Sequence, residues 1–337
     1  MNALTSQLDS KTSLTQVVLP QDGLNASAPP RISVVTCAYT EQRWDALVDA
    51  VASAHAQDPP PHEVVVVIDH NDDLLGRARR ELPRARVVAN EESRGLSGAR
   101  NTGIRHATGE IVAFLDDDAR ARPRWLQALT RPFEDPAVIG AGGLALPVWE
   151  SGAPAWIPPE FLWVVGCSYR GLPPTSSEIR NPIGANMAFR RSVLERVGGF
   201  TDGIGRVGRT PLGCEETELS IRALVATGGR IVQIPDAQVE HRVSRERTRW
   251  RYFRRRCWAE GLSKAVVARS VGSDAALESE RSYVTRTLPA GVTRGLADAV
   301  RGDRSGVARS GAILAGLTIT AAGYLLGLLS AGLRGHR

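Results

Sequence analysis

The stretch that decides the fold is "GEIVAFLDDDAR", Gly109 to Arg120, an apolar run that breaks off into Asp116, Asp117 and Asp118. The run is short and has no polar face, which is the pattern of a strand covered on both sides. Three adjacent carboxylates repel one another, so a chain that keeps them together at a strand end needs a positive charge to offer them.

Working outward, "RISVVTC" (Arg31 to Cys37) and "EVVVVID" (Glu63 to Asp69) read as two further strands apolar on both faces. "RWDALVDAVASAHAQ" (Arg43 to Gln57) reads as a helix between them, and a short third strand near "RARVVAN" precedes a helix from Ser97 to Ala107. This alternation implies right-handed crossovers and a mostly parallel, open α/β sheet flanked by helices, with ligands at the carboxyl ends of the strands. Thr36, Ala38 and Tyr39, Asp69, and Asp116 to Asp118 should therefore meet on one rim. That rim suits a nucleotide. Asp69 can accept the N–H of a base edge, or belong to a solvated turn. Asp116 and Asp118 can grip a divalent cation bridging a diphosphate, Mg2+ or Mn2+ by the all-oxygen donor set. Capping the helix near Pro123 is the plainer role, but one carboxylate suffices for a cap. A Gly-x-Gly-x-x-Ala run at Gly140, Gly142 and Ala145 is followed by Pro147 where a phosphate-binding helix should begin, which argues against a dinucleotide site.

Six segments in order resemble the family 2 glycosyltransferases of the GT-A fold: "ISVVTCAYTE", "VVVVIDHNDD", "SRGLSGARNTGI", "FLDDDA", "NPIGANMAFRRSVLERVGGF" and "GCEETELSIR". Together they cover roughly Arg31 to Val243. The resemblance implies a nucleotide-sugar donor, with Thr36, Ala38, Tyr39 and Asp69 around base and ribose and Gly98, Arg100 and Asn101 beside the nucleotide. It implies Asp116 and Asp118 as a metal-binding pair with Asp117 among the donor-binding residues, and Gly184, Ala185 and Asn186 lining the cleft for donor sugar and acceptor. "GANMAFRR" (Gly184 to Arg191) reads as a strand ending in a glycine-rich turn. His241 falls where some relatives place a third metal ligand; a structural histidine is the alternative.

Cleaving a sugar–phosphate bond drives negative charge onto the diphosphate, which explains a cation-holding rim. The acceptor hydroxyl needs a base on the opposite face of the sugar, and "PLGCEETELSIR" offers Glu215, Glu216 and Glu218 at a helix start. Matching the motif puts Glu216 at the base position with Glu215 as its rival, and the displacement would invert the anomeric centre. A phosphate acceptor would need no strong base. Two other classes are a phosphohydrolase of haloacid dehalogenase type, which the Arg120 position disfavours, and a non-catalytic membrane-anchored module that binds a glycan or nucleotide.

The chain has 337 residues, 42% of them hydrophobic, enough for a substantial core. Its net charge of +6 is almost entirely arginine, since Lys11 and Lys264 are its lysines. Cys37, Cys167, Cys214 and Cys257 are widely spaced and form no metal knuckle or disulfide framework, which fits a reducing compartment. The polar first 30 residues lack the pattern of a secretory signal and read as a flexible segment. Gly311 to Leu333 is 23 residues without a charge, about the length of a membrane-crossing helix, with Arg301, Arg304 and Arg309 before it favouring a cytoplasmic catalytic body at a cell membrane. A buried or in-plane helix is the alternative. Eight arginines between Arg242 and Arg256, with Trp250, Phe253 and Cys257 at helical spacing, suit an anionic membrane surface, and no motif for nucleic acid accompanies them. The acceptor is thus expected to be lipid-linked or a glycan. The expected organisation is a catalytic domain over 31–243, a basic, mostly helical membrane-surface region over 244–310 and a membrane helix over 311–333.

Overall fold

The computed structural model describes residues 30–206, 212–272 and 280–332. All but the last residue of the expected flexible segment over 1–30 lies outside them, as does Leu333. The parallel core is β1 (Ile32–Ala38), β2 (Glu63–Ile68), β3 (Arg86–Ala89) and β4 (Ile111–Leu115). Its crossovers are α1 (Trp44–His55), α2 (Asp72–Glu81) and α3 (Leu96–His106). β5 (Ala119–Ala121), β6 (Val138–Trp149), β7 (Ser177–Glu178), β8 (Asn186–Arg190) and β9 (Arg230–Val243) complete a nine-stranded sheet in the order β3-β2-β1-β4-β8-β6-β9-β5, with β7 on β9.

β1 to β4 pair in parallel, whereas β8 runs antiparallel to both β4 and β6, so the sheet as a whole is mixed. The alternating faces explain the continuous apolar runs. Val34, Val64, Val66, Ile68 and Ala113 pack on one side with α1, α2 and α4 (Trp125–Thr130). Val35, Val65, Val67, Val112 and Phe114 pack on the other with α3, α5 (Arg191–Arg196) and α6 (Glu215–Thr227). The Gly140 and Gly142 run is the interior of β6, with no helix following, so the dinucleotide pattern is a strand. In "GANMAFRR" the glycine-rich turn precedes β8 rather than ending it. The antiparallel entry of β8 beside β4 puts Asn186 opposite Leu115 and brings that turn next to Asp116.

Beyond the sheet, α7 (Trp250–Val271), α8 (Leu288–Val300) and α9 (Ser305–Gly332) pack as a helical layer. An 18-residue stretch within residues 305–329 of α9 has a mean hydropathy of 2.0, and the helix is long and apolar enough to cross a membrane. One flank of α9 lies along α7, so close that a Cβ on Gly261 would come within 2.2 Å of the Thr320 carbonyl. The other flank shows Leu314, Leu325, Leu326 and Leu329. Phe161, Phe253, Cys257 and Ile313 join this layer to the sheet-bearing body. Phe253 and Cys257 thus face inward, and only Trp250, at 41% exposure, remains outward of the expected aromatic row.

Candidate active site

The carboxyl ends of β1, β2 and β4 converge as the α/β topology requires. Thr36 is fully buried and its hydroxyl has no partner among the described residues. Ala38 is buried, and its carbonyl accepts the Asp69 N–H at 2.8 Å. Tyr39 stands at the rim, exposed, with the Arg43 guanidinium 5.6 Å from its ring centre. The Asp69 carboxylate accepts from the Asn90 side chain at 2.7 Å and from Gly95 N–H at 3.0 Å, which ties the end of β2 to the loop leading into α3.

Arg100, on α3, is the hub. Its buried guanidinium donates to Glu215 Oε1 at 3.0 Å, to Asp116 Oδ1 at 3.3 Å and to the Gly184 carbonyl at 3.0 Å. Three segments far apart in sequence are thereby held by one planar fork, a task for which arginine is suited and lysine is not. Gly184 takes part through its carbonyl, and Ala185 is buried behind it.

The acidic triplet divides its work. β5 pairs antiparallel with β9 so that Ala119 lies opposite His241, and this register carries His241 to Asp118. Ligand atoms of Asp116, Asp118 and His241 all lie within 4.8 Å of one another. Asp118 Oδ1 is 3.2 Å from His241 Nε2, and its Oδ2 is 3.1 Å from Arg247 and 3.2 Å from Arg43. Burial works against the Asp118 anion, but His241 and Arg247 outweigh it and hold the carboxyl well below the ordinary range. Burial would lower His241, yet the Asp118 charge raises it to about 10. Two carboxylates and an imidazole within this span form a donor set that could hold a divalent cation.

Asp117 turns away from this cluster. It is buried, takes Arg43 at 2.9 Å, and is raised to about 6, first by burial and then by its neighbouring aspartates. Its second oxygen has no partner among the described residues.

The glutamates of α6 separate in the same way. Glu215 is buried and paired with Arg100, and Glu218 is buried and paired with Arg222 at 2.7 Å. Arg222 also donates to the carbonyls of Val197 and Gly199. Glu216 is half-buried, and its carboxylate has no side-chain partner among the described residues, only its own backbone N–H. Burial first, and the Glu215 charge second, push its carboxyl up to about 8.

Three expected ligand-contacting residues are occupied by the fold. Asn186 is fully buried: its amide accepts from the Trp125 indole at 2.8 Å and donates to the carbonyls of Leu144 at 3.0 Å and Ala237 at 2.8 Å. Its amide is thus fully engaged in joining β8 to β6, β9 and α4. Asn101 exchanges two hydrogen bonds with the Phe200 backbone, both at 2.8 Å. Gly98 lets the loop before α3 pass, since a Cβ there would lie 2.1 Å from the Ser93 carbonyl. Two residues absent from the sequence-based site belong to it, Arg43 and Arg247. The acidic triplet announced its need for cations, but nothing in a run of eight arginines distinguishes Arg247, which turns in to the aspartates, from its neighbours.

A sequence model described as Glycosyl transferase family 2 matches residues 33–198. The chain is 34% identical over 241 residues to a glucosyl-dolichyl phosphate glucuronosyltransferase of Haloferax volcanii, covering 70% of this chain and 77% of that one. It belongs to glycosyl transferase family 2. The transferase is also 28% identical to polypeptide N-acetylgalactosaminyltransferase 11 of Xenopus tropicalis, over 63% of its own length but 38% of that longer protein. Among solved structures, a mannosyltransferase of Pyrobaculum calidifontis in complex with GDP-Man and Mn2+ has a TM-score of 0.53 at 20% identity, covering 87% of this chain and 88% of the other. GalNAc-T7 with UDP, GalNAc and Mn2+ has a TM-score of 0.50 at 17% identity, covering 77% and 57% respectively. These likenesses establish the GT-A fold. The chain is a glycosyltransferase, not a phosphohydrolase.

Proposed function

We propose that this glycosyltransferase moves a sugar from a nucleotide-sugar donor, a UDP-sugar, to a hydroxyl or phosphate of a lipid-linked acceptor, with inversion. The observation that carries the reading is the opposition of two acid groups across Arg100: Asp116, Asp118 and His241 on one side and Glu216, whose carboxylate has no side-chain partner among the described residues, on the other. Asp116, Asp118 and His241 would hold Mn2+ or Mg2+, which when bound stabilises the negative charge of the departing diphosphate.

The chain's own residues supply the rest. Tyr39, Asp69 and the buried ends of β1 shape the nucleoside subsite, and Arg43 and Arg247 carry positive charge to the diphosphate side of the rim. Glu216 takes the proton from an acceptor hydroxyl, a task for which a carboxyl raised to about 8 is well matched. Glu215, sealed against Arg100, positions α6 and does not reach the acceptor. A phosphate acceptor would leave Glu216 to orient rather than to deprotonate. Its acid–base role is then absent and the pH profile flattens.

Two features support a lipid-linked acceptor. The Haloferax volcanii relative is named for a dolichyl phosphate substrate. The helical layer presents Arg251, Arg254, Arg255 and Trp258 on α7 beside the exposed leucines of α9, a composition suited to an anionic membrane surface. In this reading residues 244–332 seat the enzyme at a cell membrane with the catalytic domain on the cytoplasmic side, where Arg301 and Arg304 precede the apolar helix and Arg309 lies near its start. The test is a screen of UDP- and GDP-sugars with purified protein, a membrane lipid extract and Mn2+, followed by mass analysis of the lipids. The expected product is a lipid heavier by one sugar, formed from a UDP-sugar. Sugar transfer confined to soluble glycans, or to GDP donors, contradicts the reading.

A further inference from the structure

The inner face of α7 takes no part in the chemistry above, yet it grips the residues just ahead of Glu216. Arg256, Glu260, Ser263 and Val267 recur at helical spacing and face the Gly213–Cys214 turn. Glu260 accepts the Cys214 thiol at 3.3 Å and Ser263 Oγ accepts the Gly213 N–H at 3.1 Å. Arg256 pairs with Glu260 at 2.9 Å, and its guanidinium lies so close over Gly213 that a Cβ there would approach it to 2.9 Å. Val267 closes a small apolar cluster with Cys214 and Ile221. Cys214 itself sits in the left-handed region, at φ 69°, as the residue that starts α6. A side-chain-bearing residue keeps that conformation only where its surroundings impose it. The surroundings here are α7, and the next residues are Glu215 and Glu216.

We propose that α7 is the positioning element for the catalytic carboxylate, with Arg256 and Glu260 as positioning residues that act on Glu216 through the Gly213–Cys214 turn. The inference rests on the reading of Glu216 as the base. It gives α7 two faces, one of exposed arginine and tryptophan and one built into the catalytic turn. The charged groups facing Glu216 are Glu215 from its own helix, Arg100 from α3, and Glu260 and Arg256 from α7. Glu260 disfavours the Glu216 anion and Arg256 favours it, so the pair also sets its proton affinity.

The experiment compares wild type with Glu260→Gln, Arg256→Gln and Glu216→Gln. Three quantities are read: turnover of the donor found in the lipid-extract screen, affinity for UDP with Mn2+, and the pH dependence of carbodiimide labelling at Glu216, followed by peptide mass spectrometry. Turnover should fall about tenfold or more in Glu260→Gln and Arg256→Gln, with UDP affinity held within about twofold. The labelling midpoint should move down in Glu260→Gln and up in Arg256→Gln, by about half a unit or more in each. A merely structural role cannot produce shifts of opposite sign. Unchanged turnover and midpoints, shifts of one sign, or loss of UDP binding together with turnover overturns the proposal. If Glu216→Gln keeps full turnover, it is the base reading that fails. If Glu216→Gln is inactive while the α7 variants behave as wild type, the positioning inference alone fails.

Discussion

The molecule carries two runs of acids, Asp116 to Asp118 and Glu215, Glu216 and Glu218, and the fold treats them alike. In each, the buried members are matched with cations: Asp117 and Asp118 with Arg43, Arg247 and His241, and Glu215 and Glu218 with Arg100 and Arg222. In each, one acid is left nearer solvent, Asp116 with a single shared contact to Arg100 and Glu216 with no side-chain partner for its carboxylate among the described residues. The difference lies in charge balance. The aspartate run is gathered by cations into the site proposed for one more cation, whereas at Glu216 burial and the Glu215 charge push the carboxyl up to about 8. A folded protein tolerates buried acids only when they are paired, so an acid left unpaired near buried ones marks where chemistry is to be sought.

The sharpest way to break this comparison is Asp118→Asn. UDP binding in the presence of Mn2+ should weaken by at least about a hundredfold in calorimetry, as a ligand is removed. The metal-free protein should also lose about 3 kcal/mol in denaturant unfolding, because Arg247 and His241 lose the anion they are paired with. Glu216→Gln comes next: turnover should drop by about 10² to 10⁴-fold while affinity for UDP with Mn2+ is unchanged. Equal losses of both would make Glu216 part of the donor site instead.

The pH profile sharpens the contrast further. For transfer to a hydroxyl, turnover should rise as pH passes through about 8, because Glu216 must first lose its proton. The linked effect on stability runs the other way. Its folded pKa is raised above the ordinary 4.5, so its contribution is fully present below that value and is lost as pH rises through about 8. Glu216→Gln should therefore be more stable than wild type at alkaline pH, by on the order of 1 kcal/mol after allowance for its partial exposure. The smallest effect on function is expected at Asn186. Asn186→Ala should lower stability by about 2 kcal/mol through the carbonyls and indole it leaves unpaired, with UDP affinity within about twofold of wild type.

How much of this was legible in the sequence follows the same division. β1, β2 and β4 announce themselves because both faces are covered, and a carboxylate triplet at the end of a buried strand has few meanings. α6 was equally plain, with acids crowded at its start. What periodicity cannot show is register: nothing near His241 says that it lies opposite Ala119, and the antiparallel entry of β8 has no local signature. Nor does it show which way a polar side chain turns. Asn186 and Asn101 fit the motif of a ligand cleft, yet their amides serve backbone groups of the core. Arg247 was hidden in a run of arginines most of which are not buried. The helical layer was legible as charge and apolarity but not as architecture, since the inward face of α7 depends on contacts with a distant turn.

The central claim is that the rim formed by Asp116, Asp118 and His241 holds a divalent cation that receives the nucleoside diphosphate. Its most direct test is calorimetric titration of UDP into the purified protein with and without Mn2+, in wild type and in Asp116→Asn, whose side chain is the most accessible of the three and the least tied to the fold. Binding that needs Mn2+ in wild type, and weakens by about tenfold or more in Asp116→Asn, is the predicted result. UDP binding that is the same without Mn2+, or indifferent to Asp116→Asn, would contradict it.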